Sequence, residues 1–91
     1  MQVKHDKEAR KFYLTNDGKD SYLLYMLQDN IMNIYRTYVP VEQRSQGLAA
    51  NVVKAALDFA KENNFKVIPT CSYTDFFIKK NKEYEDLLSP L

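Results

Sequence analysis

Polar and apolar positions alternate through the first part of the chain and then change to a helical period. Lys11-Phe12-Tyr13-Leu14-Thr15 is rich in aromatic and β-compatible residues and runs into Asn16-Asp17-Gly18, which predicts a strand entering a hairpin. In Ser21 to Leu27, "SYLLYML", both alternating sets are apolar: Tyr22, Leu24, Met26 and Leu23, Tyr25, Leu27. That pattern predicts a strand inside the sheet, covered on both faces. After the short polar break Gln28-Asp29-Asn30, the strand pattern resumes from Ile31 to Val39, which fits a second hairpin. Val3 to His5 adds a candidate outer strand, for up to four antiparallel strands in sequence order.

Pro40 ends this run because it cannot donate a ladder hydrogen bond. Leu48, Val52, Ala55, Ala56 and Phe59 then recur at helical spacing, with Asn51, Lys54, Asp58 and Glu62 as a narrow polar stripe. The spacing predicts a mostly buried helix that stops at Asn63-Asn64. Phe65 to Pro69, "FKVIP", reads as a short buried strand, parallel to Ile31 to Val39 through a right-handed crossover. Thr74 to Leu88 predicts one or two short helices with Thr74 as N-cap. The fold class is therefore α/β in the α+β sense: an antiparallel β-meander, a strand-helix-strand crossover and short C-terminal helices.

Length changes this picture little. Ninety-one residues suffice for one modest core, so residues 1–91 are expected to form a single domain. Thirteen basic residues nearly balance twelve acidic ones, which argues against a nucleic-acid or membrane-surface partner and makes any anion site local. No apolar run approaches the about 20 residues of a membrane span, and "MQVKHDKEARK" lacks the apolar centre of a signal peptide, so a cytoplasmic protein is expected. One cysteine, Cys71, and one histidine, His5, exclude an internal disulfide and disfavour a metal site.

Candidate chemistry concentrates where the strand gives way to the helix. Arg44-Ser45-Gln46-Gly47-Leu48-Ala49 holds one of only two glycines. A helix start offers unpaired N–H groups and partial positive charge, a glycine admits a phosphate close to the main chain, and Arg44 and Ser45 add a charge and a donor. The sequence has neither Gly-x-x-x-x-Gly-Lys-Ser/Thr nor Gly-x-Gly-x-x-Gly, so a nucleotide P-loop and a dinucleotide fold are not supported.

These six residues resemble the pyrophosphate-binding signature of the GNAT N-acetyltransferases, Gln/Arg-x-x-Gly-x-Gly/Ala, and the meander before and the helix and strand after them suit that fold. More narrowly, the chain from Val39 to Leu88 resembles the small, single-domain YjdJ-type branch, including the Cys-Ser-aromatic after the last strand and the Glu-Tyr near the C-terminus. The resemblance implies acetyl-CoA as cofactor and acetyl transfer to an amine as reaction. It implies that the backbone of Arg44, Ser45, Gln46, Gly47, Leu48 and Ala49 binds the CoA pyrophosphate. The strand end at Tyr35 to Val39, including Tyr38 and Val39, would hold the pantetheine arm.

Many members use a tyrosine to protonate the departing thiolate, and Tyr73 and Tyr84 are the candidates for that role. Cys71 falls just past the end of the last strand, where ligands gather in open α/β sheets. The resemblance carries onto it the suggestion of a catalytic thiol, either accepting the acetyl group or giving a proton, against the alternative of a small buried residue.

Other residues promise less. His5 precedes the first clear strand and reads as a surface histidine, and Glu42 as a solvated loop charge rather than an amine base. Lys79, Lys80 and Lys82 form a local basic cluster, better read as exposed helix charges than as a contact for the CoA 3′-phosphate.

Typical members carry helices between the first two strands and further strands after the second core helix, for most of which this chain lacks room. The acceptor half of the site is then open. That favours a large acceptor such as a protein amine, or a partner subunit, in a monomer or weak homodimer. The alternative function is a noncatalytic acyl-CoA-binding or partner-binding module on the same fold.

Overall fold

Two tight turns organise the sheet, and both follow from residues that tolerate a positive φ. In the computed structural model, which describes residues 2–90, Asp17 and Gly18 (φ 57° and 74°) join β2 to β3, and Asp29 and Asn30 (φ 51° and 65°) join β3 to β4. Two consecutive left-handed residues match the right-handed twist of the strands they connect. The strands are β1 (Lys4–Asp6), β2 (Lys11–Asn16), β3 (Lys19–Gln28), β4 (Ile31–Tyr38) and β5 (Lys66–Pro69). They form one five-stranded sheet in the order β1-β2-β3-β4-β5, antiparallel except for the parallel β4–β5 pair. This mixed α/β architecture bears out the expected meander and crossover.

Helix α1 (Leu48–Glu62) lies on one face of the sheet, and α2 (Ser72–Lys80) and a 3₁₀ turn (Lys82–Leu87) complete the chain. Leu48, Val52, Val53, Ala56, Leu57 and Ala60 of α1 bury their stripe with Phe12, Leu14, Leu23, Tyr25, Met32 and Ile34 of the sheet. Asn51, Lys54 and Glu62 face solvent, as the periodicity predicts. Removing a wholly buried leucine such as Leu57 would cost about 2–5 kcal/mol.

Among the described residues no helix lies on the opposite face of the sheet, which corrects the expectation that β3 is covered on both sides. Ser21, Leu23 and Tyr25 are buried, whereas Tyr22 and Leu24 are half-buried and Met26 is 53% exposed. The apolar outer set is served by neighbours in the sheet instead: the Tyr22 ring meets the Tyr38 ring at 5.3 Å, and the Lys11 ammonium lies over both Tyr13 and Tyr22.

His5 is half-buried rather than a freely solvated surface residue. Its ring stacks on Phe12 at 3.9 Å, meets Phe59 edge-on at 4.6 Å and places Nε2 2.6 Å from the Tyr25 hydroxyl. Strand β1 is pinned to the end of α1 by this aromatic group, whose partners are distant in sequence.

A register shift in β4 decides which residues face the helices. Leu24 pairs with Arg36 but Tyr25 pairs with Ile34, leaving Tyr35 as an extra residue in β4. Such a bulge reverses the alternation beyond it. Without it, Arg36 would follow Met32 and Ile34 to the α1 side. With it, Thr37 lies opposite buried Leu23 on that side, and Arg36 opposite Leu24 on the open face.

Candidate active site

The segment between β4 and α1 is held from below by side chains the sequence did not single out. Gln43, 4% exposed, donates through Nε2 to the Asn16 carbonyl at 2.8 Å, and the Asn16 amide donates to Gln43 Oε1 and Gln46 Oε1, both at 3.3 Å. Arg44 Nε donates to the Val39 carbonyl at 3.0 Å, closing the loop on itself. A glutamine among polar neighbours gives no sequence signal of burial, and its partner lies on another hairpin.

Two left-handed residues then set the turn. Ser45 and Gly47 both have φ 77°, and Gly47 is the N-cap of α1. No side chain caps this helix and its first turn has no acidic residue. The first intrahelical bond runs from Asn51 N–H to the Gly47 carbonyl, so the N–H groups of Leu48, Ala49 and Ala50 have no intrahelical acceptor. A Cβ built on Gly47 would meet nothing within 4 Å, so the space above the turn is open.

That space is a cleft of about 320 Å³ bordered by Val39, Arg44, Ser45, Gly47, Ala49 and Tyr73. It joins the motif to the start of α2. The Gln46 side chain is turned toward Asn16 instead, and the Leu48 side chain enters the core, leaving their main chain at the turn.

Beyond Ile34, β4 and β5 part. The β4–β5 pairing ends at Ile34 and Pro69, and the Cys71 N–H donates to the Ile34 carbonyl at 2.9 Å before the chain turns into α2. Among the described residues, residues 35–38 of β4 therefore pair with β3 alone. Tyr38 turns its ring to the open face, while Val39 borders the cleft.

Cys71, not Thr74, is the N-cap of α2, because the Asp75 N–H bonds the Cys71 carbonyl at 3.1 Å and the helix starts earlier than the pattern predicts. Thr74 is wholly buried inside the first turn. The Cys71 sulfur lies 3.3 Å from the Thr37 hydroxyl. Burial pushes the half-buried thiol up, but hydrogen bonding, led by the Thr37 hydroxyl, outweighs it and holds the thiol below its ordinary value, although no side chain caps α2.

The two tyrosines separate. Tyr73 borders the cleft, and burial holds its phenol above the usual range, so it stays protonated. Tyr84 does not join the site: it is 4% exposed and its hydroxyl donates to Asp58 Oδ1 at 2.7 Å. Its phenol is raised by burial and then by the Asp58 carboxylate. From Gly47 to Asp58 the helix rises roughly 16 Å, which sets Tyr84 far from the turn. The aromatic-acid pattern that suggested it reflects core packing against Phe77 and Asp58.

The remaining charges are engaged elsewhere. Glu42 is exposed and ion-paired with Lys19, a bond that holds its carboxyl below the usual range and makes it a poor base. Lys79 pairs with Asp75 and Lys80 lies over the Phe76 ring, both at the end of α2 away from Cys71. No group of His, Cys, Asp and Glu among the described residues has the arrangement of a metal site, and no described helix is long and apolar enough to cross a membrane.

Comparisons with known proteins agree with this fold. Residues 11–87 match the family model of the GCN5-related N-acetyltransferases. The chain is 35% identical to Protein NATD1 of Gallus gallus over 95 aligned positions, covering 99% of this chain and 86% of the relative. It is 34% identical to Protein NATD1 of Homo sapiens, covering 99% and 84%. Among solved structures it resembles the solution structure of a GCN5-like candidate N-acetyltransferase from Staphylococcus aureus, with a TM-score of 0.77, 30% identity, and coverage of 99% of this chain and 89% of that one.

Proposed function

Because the chain belongs to the GCN5-related N-acetyltransferase family, we propose that it transfers the acetyl group of acetyl-CoA to an amine. The observation that carries this reading is the start of α1: an uncapped helix with no acid in its first turn, under open space at Gly47, in a cleft that reaches Tyr73. Most helices satisfy their first N–H groups with Ser, Thr, Asp or Asn, and one that leaves them to an open cleft is suited to an anion. A pyrophosphate fits these donors in charge and in kind.

In this reading the N–H groups of Leu48, Ala49 and Ala50 hold the pyrophosphate, with Arg44 and Ser45 beside it. The unpaired side of β4, from Tyr35 to Val39, receives the pantetheine arm along the main chain. Acetyl-CoA, when bound, supplies an activated acyl group as a thioester.

Cys71, as its thiolate, would receive the acetyl group: its sulfur bonds to the acyl carbon as the thioester bond breaks and the CoA sulfur leaves with the electron pair. Tyr73, protonated at rest, gives the CoA sulfur its proton. A neutral amine then attacks the acetyl group on Cys71, restoring the thiolate, and its released proton returns to the Tyr73 oxygen.

The test is titration of acetyl-CoA into the labelled protein by NMR, with mass spectrometry on the same sample. Shifts at Arg44 to Ala49 and an acetyl increment on Cys71, absent in Cys71→Ala, are expected. Failure to bind at millimolar ligand would overturn the reading; binding without acetyl transfer to any amine would leave a noncatalytic acyl-CoA module.

A further inference from the structure

We propose that Asn16 is a positioning residue: its amide clamps both sides of the strained turn at Ser45 and thereby sets the geometry of the N–H groups that open α1. A positive φ is costly for an L-residue, and Asp and Asn bear it best. Among the described non-glycine residues with positive φ, Asp17, Asp29, Asn30 and Asn64 are of these types, whereas Arg10 (φ 55°) and Ser45 (φ 77°) are not. Such a residue keeps its conformation only where its surroundings hold it there.

Arg10 is held by the main chain: its N–H donates to the Lys7 carbonyl at 3.3 Å, and its carbonyl accepts the Tyr25 N–H at 3.1 Å. Ser45 has no such support among the described residues. The N–H groups of Gln43 and Arg44 bond back to the Pro40 and Val41 carbonyls, and the next main-chain bond runs from the Asn51 N–H to the Gly47 carbonyl. Ser45 and Gln46 lie between these bonds, so side chains must hold the stretch.

Gln43 before Ser45 and Gln46 after it both turn to Asn16. The Asn16 amide spends both of its protons on them, donating to each Oε1 at 3.3 Å. Gln43 is buried and anchored a second time, because its Nε2 donates to the Asn16 carbonyl at 2.8 Å. An apolar side chain would fill the same place without needing partners; the amide adds direction, which fixes how the chain leaves the 3₁₀ turn Val41–Gln43. The Lys19–Glu42 ion pair joins the same hairpin to the same segment, but an exposed pair adds little. Asn16 is thus the point at which the β2–β3 hairpin grips the turn.

The value of this clamp to a cofactor rests on the acetyl-transfer reading, but its hold on Ser45 does not. The first test is the intraresidue amide–Hα NOE of Ser45 in the ligand-free protein, which is strong at positive φ because the two hydrogens then lie close together. Asn16→Leu keeps a side chain of similar size and the Asn16 carbonyl while removing both amide donors. The Ser45 NOE should be strong in the intact protein and weaker in the variant, with Asn64, whose positive φ lies past the far end of α1, unchanged as the internal reference. The second test is CoA affinity by calorimetry. Asn16→Leu should weaken it about tenfold, but only about threefold or less when Ser45→Gly is present in both proteins compared, since glycine reaches the left-handed region unaided.

If amide spectra show that Asn16→Leu does not fold, Gln46→Ala, at an exposed residue, removes one arm of the clamp and carries both tests with the same signs. A Ser45 NOE that is weak in the intact protein, or as strong in the variant, would overturn the proposal. So would an equal loss of affinity with and without Ser45→Gly. If the NOE behaves as expected and CoA does not bind the intact protein, the acetyl-transfer reading falls and the clamp stands. If CoA binds and Asn16→Leu changes neither NOE nor affinity, the clamp alone falls.

Discussion

Gly47 combines two demands that a substitution can separate. Its φ of 77° is a left-handed conformation that costs an ordinary L-residue about 1–2 kcal/mol, yet a Cβ there would meet nothing within 4 Å. Gly47→Ala is thus expected to lower stability by about 1 kcal/mol in urea denaturation, through the backbone alone. Gly47→Asn should cost less, because Asn tolerates the left-handed region.

Both variants place a side chain in the space assigned to the pyrophosphate, and calorimetry should show CoA affinity falling by about tenfold or more, the equivalent of about 1.4 kcal/mol. Wild-type affinity in Gly47→Asn would mean that the glycine serves only the turn. This residue was legible in the sequence because its reason is local, a glycine at a strand-to-helix junction. Thr37 was not, since it meets Cys71 across 34 residues of separation. Gln43 and Asn16 were hidden for the same reason.

At the scale of elements, the turns and strands could be read because Asn16-Asp17-Gly18 and Asp29-Asn30 carry their conformational preference in their own side chains. The bulge could not. Nothing in "IMNIYRTYV" distinguishes Tyr35 as the extra residue, and strict alternation would turn Arg36 and Tyr38 inward. The two-sided reading of β3 failed because apolar Tyr22, Leu24 and Met26 mark a strand but do not reveal whether a helix covers them.

Strand β1 carries its own prediction, through His5. Burial, then repulsion from Lys7, hold the His5 imidazole below its ordinary value, with Asp6 opposing. The unfolded chain therefore binds the proton first as pH falls, so stability contributed by neutral His5 is complete above about 6.5 and is lost as pH drops through the lowered folded value. His5→Phe keeps the stack on Phe12 and removes the titration. Urea midpoints at pH 7.5 and pH 5 should show the wild type losing more stability than the variant, and equal losses would show that His5 is not poised in this way.

On the acetyl-transfer reading, the described residues offer a cleft for CoA at the start of α1 and little to enclose an acceptor. The β1–β2 connection is the short turn 7–10, and among the described residues after Leu87 the chain lies beside β5, through the bridge of Leu88 to Val67 and the Ser89 N–H bond to the Val67 carbonyl. A net charge of +1 provides no field to gather charged acceptors. Orientation must therefore come from surface that the acceptor brings with it, and a small amine has little to offer.

Assayed with acetyl-CoA, a folded or extended polypeptide bearing lysine should have a kcat/KM at least about tenfold above that of a free small amine with the same amine chemistry, since lost contacts of about 1.4 kcal/mol amount to that factor. Salt should change the ratio little, because contact rather than long-range attraction selects the acceptor. A small amine acetylated as efficiently as the polypeptide would mean that the cleft between Gly47 and Tyr73 orients the acceptor by itself, and that the open acceptor side has no role in choosing it.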